Sequence, residues 1–271
     1  ESQIKFLGCS NHRTETSTKG FFERLKDLVA YHDMPVATLT YYLHSFMSEA
    51  ISEAGCRVAI SGNGADELFT GYYDHYSFWL AEMKNKNSFT GLQSDWQKSY
   101  GAYVQNPVLQ DPLVFFKNPL ERGHIFLNSE TFNAWLHDPF EETFEESEYS
   151  NNLLRNRMLN EIRHETIPVI LHEDDRNSMY YSVENRSPYL DRDLAEFLFQ
   201  IPPEFLIKNG YVKYLLRAAG TGFVSNNVLW DKRKRGFNAP IDHLIDRKDK
   251  VTREHLMADG PIFDIVRKDK I

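Results

Sequence analysis

The stretch Ser61-Gly62-Asn63-Gly64-Ala65-Asp66-Glu67 decides the fold, because apolar residues lie on both sides of it. A short apolar run over residues 57–60 precedes it and Leu68-Phe69 follows it, an order that predicts strand, glycine loop and helix. The two glycines permit a tight turn in which consecutive backbone N–H groups face a polyanion. The aspartate suits phosphate chemistry if it holds a magnesium ion between protein and phosphates. The loop therefore predicts phosphate binding, although glycine turns of this kind also occur without any ligand.

Composition is that of a soluble globular protein. The chain has 271 residues, of which 41% are hydrophobic and 26% charged, and its formal net charge is -8. An acidic balance argues against a general nucleic-acid or membrane-surface binder. Cys9 and Cys56 are the only cysteines and lack metal-ligand spacing, so we expect neither a disulfide scaffold nor a zinc site. We expect a cytoplasmic protein with no membrane span and no signal peptide.

Helical periodicity surrounds the glycine loop. Apolar spacing predicts helices over 18–31 and 38–54 before the strand, and over 153–164 and 170–183 after it. Asp191 is expected to cap a further helix, and residues 211–219 form a short helix that Gly220 ends. Helices alternating with a strand and a glycine loop predict an α/β fold that is rich in helix. Residues 4–7 are expected to form a strand of the same sheet, and residues 264–267 an interrupted helix.

The middle of the chain carries many aromatic residues. We expect irregular helices there, with residues 77–150 as a helical insertion in a single domain over 1–271. Core packing explains the aromatics better than a stacking platform for nucleic acid. They are Tyr100, Tyr103, Phe115, Phe116, Phe126, Phe132, Trp135 and Phe140. The glutamate run over 141–148 is expected to be a solvated helix face rather than a metal site.

Two further segments carry charge in informative patterns. Residues 231–240 place four consecutive bases before a Gly-Phe turn, which indicates either a solvated surface or a cationic loop that stabilises a leaving pyrophosphate. Residues 175–191 combine Asp175, Arg176, Glu184 and Arg186 with apolar neighbours. Ion pairing among these charges is the expected arrangement.

Together, the three segments resemble the synthetase domain of the asparagine synthetase family. That family carries a Ser-Gly-x-Gly-x-Asp-Glu loop, which is 61–67 here. It also carries Asp-Arg-x-Ser-Met followed by Glu-x-Arg-x-Pro-Tyr/Phe-Leu-Asp, which is 175–191, and Lys-x-Gly-Phe-x-x-Pro, which is 234–240. Each motif is modest alone, and the three in register are specific.

The resemblance implies a partial parallel sheet of the ATP pyrophosphatase type, that is, an adenine nucleotide alpha-hydrolase-like domain. It implies an ATP- and Mg2+-dependent amide ligase, in which a carboxylate attacks the α-phosphorus of ATP and ammonia then attacks the acyl-adenylate. Asp66 would be the magnesium ligand, and Lys234 would balance the charge of pyrophosphate. The remaining assignments are Ser61, Gly62, Asn63, Gly64 and Arg235 for ATP or the intermediate, Glu173 and Asp175 with Lys234 for catalysis, and Glu67, Arg176, Glu184 and Arg186 for structural support.

Asn63 departs from the family, since asparagine synthetases often carry glutamate at this loop position. The departure weakens aspartate as the acceptor and is compatible with a sugar acid, while the nitrogen source is ammonia or glutamine. The family's upstream Ser-Gly-Gly-x-Asp-Ser loop and its glutaminase domain are not found in the 271 residues.

We therefore expect a chain truncated at its N-terminus. Alone it should have little ligase activity, with a glutaminase domain or a partner chain completing it and a homodimer as one possible assembly. A noncatalytic scaffold with the same fold is the alternative. Another enzyme of the same ATP pyrophosphatase architecture is a third reading, and the 184–191 motif argues against it.

Overall fold

A two-stranded parallel sheet carries the glycine loop. The computed structural model describes residues 2–125, 128–141, 144–234, 236 and 241–271. Strand β1 (Val58–Ile60) pairs in parallel with β2 (Glu184–Arg186), with Ala59 opposite Asn185. The ladder continues one residue beyond β1, where the Ser61 N–H donates to the Arg186 carbonyl at 2.8 Å. The predicted strand, loop and helix order is thereby confirmed.

Helices make up most of the remaining regular structure. Before the loop lie α1 (Ser2–Leu7), α2 (Phe21–His32) and α3 (Leu39–Glu53). The loop leads into α4 (Ala65–Phe69), followed by α5 (Tyr73–Glu82), α6 (Phe89–Lys98), α7 (Val114–Lys117) and α8 (Ser129–Asn133). The second half contains α9 (Leu153–Arg163), α10 (Thr166–Tyr180), α11 (Arg192–Gln200), α12 (Tyr214–Ala219), α13 (Asn226–Leu229) and α14 (Lys250–Leu256).

Helix α10 organises the region behind the sheet. It begins at Thr166 with Pro168 in its first turn, where the missing proline N–H costs no helical hydrogen bond. It packs against α3, α9 and β2, so the 175–191 segment runs from this helix directly into the sheet. Asp191 then caps α11 as predicted, because its Oδ1 accepts the Leu194 N–H at 3.1 Å.

Among the described residues, buried apolar side chains form two clusters. The larger one surrounds α5, whose Phe78 stacks on Phe115 with ring centroids 3.6 Å apart. The smaller one joins α2 and α3 to Leu244 and Ile245. The first cluster fixes α4 and thus the loop, whereas the second fixes α3.

Several expectations for the aromatic middle region need correction. Tyr100 and Phe115 are buried as predicted. Tyr103, Phe116, Phe132, Trp135 and Phe140 are exposed instead, and Phe126 lies outside the described residues. The short helices α6 to α8 leave long connections whose aromatic rings reach the surface.

The glutamate run also differs from its predicted helix. Its described residues 141 and 144–148 have no helical backbone, and Glu142 lies outside the described part. Glu146 turns inward and accepts hydrogen bonds from Arg122 and Arg157 at 2.9 Å each. Burial beside two guanidinium groups is more favourable for this carboxylate than a solvated face.

Both chain ends differ from prediction. Residues 4–7 belong to α1, a helix with no buried residue, instead of a strand. Near the other end, a 3₁₀ turn at Pro261–Asp264 leads to an isolated bridge between Val266 and Leu136. The single-domain reading and the insertion at 77–150 stay predictions, and α5 runs continuously through residue 77. No helix within the described residues is both long and apolar enough to span a bilayer.

Candidate active site

The loop after β1 holds its shape through Gly64. This residue has a φ of 88°, in the left-handed region that favours glycine. A Cβ at this position would lie 2.3 Å from Leu190 Cδ2, so the loop also depends on glycine for its close contact with the 188–190 turn. Ser61 Oγ lies 3.0 Å from Ser187 Oγ and adds a side-chain link between the ends of β1 and β2.

Asp66 lies at the start of α4 between two lysines. Its Oδ1 is 2.8 Å from Lys213 Nζ and 3.1 Å from Lys234 Nζ, and a third of its side chain is exposed. Burial acts to raise the pKa of Asp66, but the charges of the two lysines outweigh it and hold the pKa below its usual value. Asp66 is therefore a carboxylate at neutral pH.

Gly71 provides the space for this contact. A Cβ on Gly71 would fall 1.7 Å from Asp66 Oδ1 and 2.4 Å from Lys213 Cε. Its carbonyl accepts from Lys234 Nζ at 3.4 Å and from Tyr100 Oη at 3.3 Å. The backbone at Gly71 thus orients Lys234 while its missing side chain admits Asp66 and Lys213.

Glu67 supports Lys234 indirectly, through Tyr72. It is buried, and its Oε1 accepts a hydrogen bond of 2.5 Å from Tyr72 Oη. Burial and the adjacent Glu67 charge raise the pKa of Tyr72, so the phenol stays protonated. Lys234 Nζ lies 4.0 Å above the Tyr72 ring, a cation–π distance. The supporting role predicted for Glu67 is compatible with these contacts.

A small cavity opens beside Asp66. Its volume is about 110 Å³, and its described lining includes five cationic side chains and the one carboxylate. The cations are Lys213, Arg217, Lys232, Arg233 and Lys234. An excess of positive charge around a cavity of this size favours a compact anion. Arg235 lies outside the described residues, as do 237–240 of the same motif.

The other side of the loop faces α10. Asn63 Nδ2 donates to Asp174 Oδ2 at 2.7 Å, and His44 Nδ1 from α3 lies 2.8 Å from Asp174 Oδ1. Asp174 is buried, with 7% of its surface exposed. Three separate elements thus meet at one carboxylate next to the loop.

The two carboxylates predicted for catalysis lie elsewhere on α10. Glu173 is buried, and its Oε1 accepts the Ala37 N–H at 3.2 Å while Oε2 lies 3.7 Å from His32 Nδ1. Burial raises the pKa of Glu173 and lowers that of His32. Asp175 is exposed. Helix geometry explains the difference, because successive residues point about 100° apart and only one of the three acids can face the loop.

The remaining support residues are at the surface. Arg186 Nε donates to Glu184 Oε1 at 2.8 Å, and both side chains are more than half exposed. Of the four charges predicted to pair in this segment, Glu184 and Arg186 form an ion pair, without the burial expected for it. The Arg186 backbone carbonyl holds Ser61 through the sheet ladder. Arg176 is exposed on α10, where its charge helps to lower the pKa of His32.

Sequence comparison agrees with this arrangement over almost the full chain. The sequence profile of the family described as "Asparagine synthase" matches residues 3–271. The chain belongs to the asparagine synthase family. All the contacts described above fall within the part that matches.

Curated members of the asparagine synthase family and related proteins are distant and longer. "Asparagine synthetase [glutamine-hydrolyzing] 1" of Bacillus subtilis is 27% identical over 98% of this chain and 43% of its own length. "Amidase chry2" of Gibberella zeae is 21% identical over 87% of this chain and 40% of its own length. "Asparagine synthetase [glutamine-hydrolyzing] 3" of Bacillus subtilis is 24% identical over 86% of this chain and 34% of its own length. The chain thus spans less than half the length of these relatives.

Sequence reasoning missed three residues of this candidate site. Lys213 gave no signal, because it belongs to no charged run and reaches Asp66 from a distant helix start. His44 looked like one polar position on the apolar helix α3. Asp174 lies between the two predicted carboxylates Glu173 and Asp175, and the sequence alone does not show which of the three side chains faces the loop. The burial of Asp174, Asn177 and Ser178 on one stripe of α10 is the pattern that could have selected it.

Proposed function

We propose that this chain is the synthetase part of an ATP-dependent amide ligase of the asparagine synthetase type. A carboxylate is adenylated by ATP with release of pyrophosphate, and ammonia then attacks the acyl-adenylate to give an amide. The observation that carries the proposal is the meeting of all three motif segments at the carboxyl ends of β1 and β2. Asp66 contacts Lys234 of the basic segment, and Ser61 contacts Arg186 of the 175–191 segment. Open α/β sheets bind ligands at this edge.

The positively charged side chains indicate where the nucleotide would bind. Adenylation places negative charge on the departing pyrophosphate, and preorganised cations lower the free energy of that transition state. Lys234 and Lys213 provide such cations beside the cavity. The backbone of the 61–64 loop is proposed to bind the nucleotide or the intermediate. The proposal includes an ATP pyrophosphatase type of sheet, of which β1 and β2 would be two strands.

Asp66 fits a role as magnesium ligand. Both lysine contacts fall on Oδ1, and the one-third exposure of the side chain leaves room for a hard cation at the carboxylate. When bound there, magnesium would supply charge neutralisation to the phosphates. Asp66 would hold the ion, and Lys213 and Lys234 would turn from Asp66 toward phosphate oxygens.

The acceptor is proposed as a class. Aspartate and sugar acids both present the required carboxylate, and the nitrogen would come from ammonia or from glutamine through a glutaminase domain or partner chain. Both cysteines are free and exposed, a state typical of proteins in a reducing compartment. The proposal therefore places the reaction in the cytoplasm.

The test is an assay of acceptor-dependent nucleotide chemistry in the protein that carries this chain. AMP and pyrophosphate would be measured with MgATP and ammonium chloride, using L-aspartate and a set of uronic acids as acceptors. We expect AMP, not ADP, with at least one acceptor. Asp66→Asn should lower this rate by about 10²-fold or more, as loss of a transition-state contact does. Asp193→Asn, on the exposed first turn of α11, is the matched control and should retain the rate.

A calorimetric titration of MgATP distinguishes the noncatalytic scaffold. A scaffold would bind no MgATP, and Asp66→Asn would leave every measured property unchanged. That result, or acceptor-independent release of ADP, would overturn the ligase proposal.

A further inference from the structure

His44 and Asp174 form a carboxylate–imidazole pair beside the loop. His44 Nδ1 lies 2.8 Å from Asp174 Oδ1, and Asn63 Nδ2 donates to the other carboxylate oxygen at 2.7 Å. The carboxylate is buried, while the His44 side chain is 22% exposed. Residues from α3, α10 and the loop thus fix one imidazole ring next to the site.

The geometry sets the chemistry of the ring. A carboxylate at Nδ1 favours the tautomer with its proton on Nδ1, and the lone pair then lies on Nε2. The same carboxylate stabilises the imidazolium that forms when Nε2 accepts a proton. A buried carboxylate behind a partly exposed imidazole is the arrangement of a general base.

Resting on the function proposed above, we infer that His44 is the general base of the aminolysis step. Ammonia attacks the acyl carbon of the adenylate, and the new C–N bond gives a tetrahedral intermediate that carries an ammonium group. His44 Nε2 accepts one proton from that group. The intermediate collapses with cleavage of the bond between the acyl carbon and the AMP oxygen, releasing amide and AMP. The imidazolium then returns its proton to solvent.

Asp174 and Asn63 are positioning residues in this scheme. Asp174 orients the His44 ring. Asn63 donates a hydrogen bond to the other oxygen of Asp174 and so holds this carboxylate in one orientation. The other nearby groups are poorer bases. An asparagine amide has no basic lone pair, and Glu173 is buried against the Ala37 N–H on another side of α10.

Asp174 and Tyr41 are described residues that contact the His44 ring. Asp174 faces it from α10, and the Tyr41 ring lies edge-on with centroids 5.6 Å apart on α3 itself. Burial, with the nearby carboxylates, raises the pKa of Tyr41 to about 12, so this phenol stays neutral. Asp174 is the carboxylate that contacts the ring.

The experiment separates the two half-reactions in the protein that carries this chain. Acceptor-dependent exchange of labelled pyrophosphate into ATP reports adenylation, and amide formation with ammonium chloride reports the whole reaction. The acceptor is the aspartate or uronic acid that supports exchange by the wild type. His44→Gln is compared with His172→Gln, an exposed histidine on α10.

We expect His44→Gln to keep exchange within about threefold and to lose amide formation by about 10²- to 10³-fold, the range of general base catalysis. Added imidazole should restore part of the amide formation of His44→Gly. Asp174→Asn, which keeps the side-chain shape, should lower amide formation about tenfold or more with exchange retained, and His172→Gln should match the wild type.

Three outcomes would overturn the inference. Amide formation by His44→Gln at the wild-type rate would exclude the base. An equal loss of exchange and amide formation, without rescue by imidazole, would assign His44 and Asp174 to structure or nucleotide binding. A wild type without exchange on every acceptor would reject the amide ligase itself, and the inference with it.

Discussion

Asp66 and Asp74 begin successive helices, yet their surroundings are opposite. Asp66 is one-third exposed and contacts two lysines at the edge of a cationic cavity. Asp74 is 5% exposed, and its Oδ2 lies 3.2 Å from His124 Nε2 and 3.6 Å from Arg157 Nε. Lysine is a flexible point charge that can leave one anion for another, whereas arginine offers a rigid fork. Asp66 can therefore exchange its lysine partners for a ligand, whereas Asp74 keeps its ion pairs.

Asp74 belongs to a buried ion-pair network around Arg157. This guanidinium contacts four carboxylates, namely Asp74, Glu146, Glu161 and Glu165. His75 Nε2 joins the network at 2.8 Å from Glu161 Oε2. Asp74, His75 and Glu161 offer ligand atoms within 4.8 Å of one another, a spacing compatible with a metal ion. Arg157 already supplies positive charge to both carboxylates, so an ion-pair network explains the cluster.

The difference teaches that charge alone does not mark a functional site. The buried network ties α5 and α9 to His124 and Glu146. Asp66 is partly exposed, so its two lysines stay available to a ligand. Substitutions in the buried network should therefore lower stability, whereas substitutions around Asp66 should lower activity.

The largest effect is expected for Arg157→Met. Removing this guanidinium leaves buried carboxylates without their shared partner, which costs about 3–5 kcal/mol of unfolding free energy. Chemical denaturation would measure it, with Arg163→Met, exposed on the same helix, as the control. A loss below about 1 kcal/mol would mean that the network relaxes and is no rigid element.

Lys234→Met should show the opposite behaviour. We expect about 10²- to 10³-fold lower adenylation, equal to about 2.7–4 kcal/mol of transition-state stabilisation, with a nearly unchanged melting temperature. Lys84→Met is the matched control, because Lys84 Nζ also lies over an aromatic ring, 5.3 Å from the Phe116 centroid, and Lys84 is not among the described residues that line the cavity. A large fall in melting temperature without a specific loss of activity would remove the contrast between the two regions.

Gly71→Ala should have an intermediate effect on both properties. The added methyl group would overlap Asp66 Oδ1 and Lys213, and overpacking of this kind costs about 1–3 kcal/mol. Gly91→Ala, on α6, meets nothing within 4 Å and serves as the control. Thermal melting together with MgATP titration would measure the two consequences, and identical behaviour of both variants would contradict the close contact.

The smallest effect is the pH dependence of the buried network. Burial acts to lower the pKa of His75, but the Glu161 charge and hydrogen bond outweigh it and raise the pKa above 6.5, while burial raises the pKa of Glu161. Both groups bind protons more tightly when folded, so their contribution is present below the unfolded values and is lost as pH rises through the folded ones. We expect unfolding free energy to decline above about pH 6.5.

Urea denaturation across this pH range would measure the decline. His75→Gln should flatten it, whereas His137→Gln, an exposed histidine in the connecting region, should not. Asp74 acts in the opposite direction, since its lowered pKa makes its contribution disappear in acid below 3.8. A rise in stability through neutral pH would contradict the assigned sign for His75.

Local patterns predicted the parts of the fold that depend on neighbours in sequence. The glycines around Asn63 fixed the loop, and the cap at Asp191 followed from side-chain chemistry. The helical form of residues 4–7 was missed, since a short apolar run suits either strand or helix. The exposure of Trp135 and Phe140 depends on tertiary packing that no local pattern encodes.

The candidate site was predictable only in part for the same reason. The resemblance assigned Asp66 and Lys234 to the same site with separate roles, and the structure places their charged atoms 3.1 Å apart. Lys213 and His44 belong to no motif and come to the site through the packing of α12 and α3. The choice among Glu173, Asp174 and Asp175 required the rotation of α10, which the sequence constrains only to within a residue.

The pairing of β1 with β2 also has a consequence for how the molecule forms. Ser61 and Arg186 are 125 residues apart in the chain, and parallel strands cannot pair until the intervening segment has collapsed. Contacts of such long sequence separation slow folding and complete late. The helices around α5 and α9 can assemble earlier from more local contacts, whereas the loop between Ser61 and Gly64 acquires its final shape only when the strands meet. During synthesis, residue 186 must therefore leave the ribosome before the loop can reach the shape that binds a ligand.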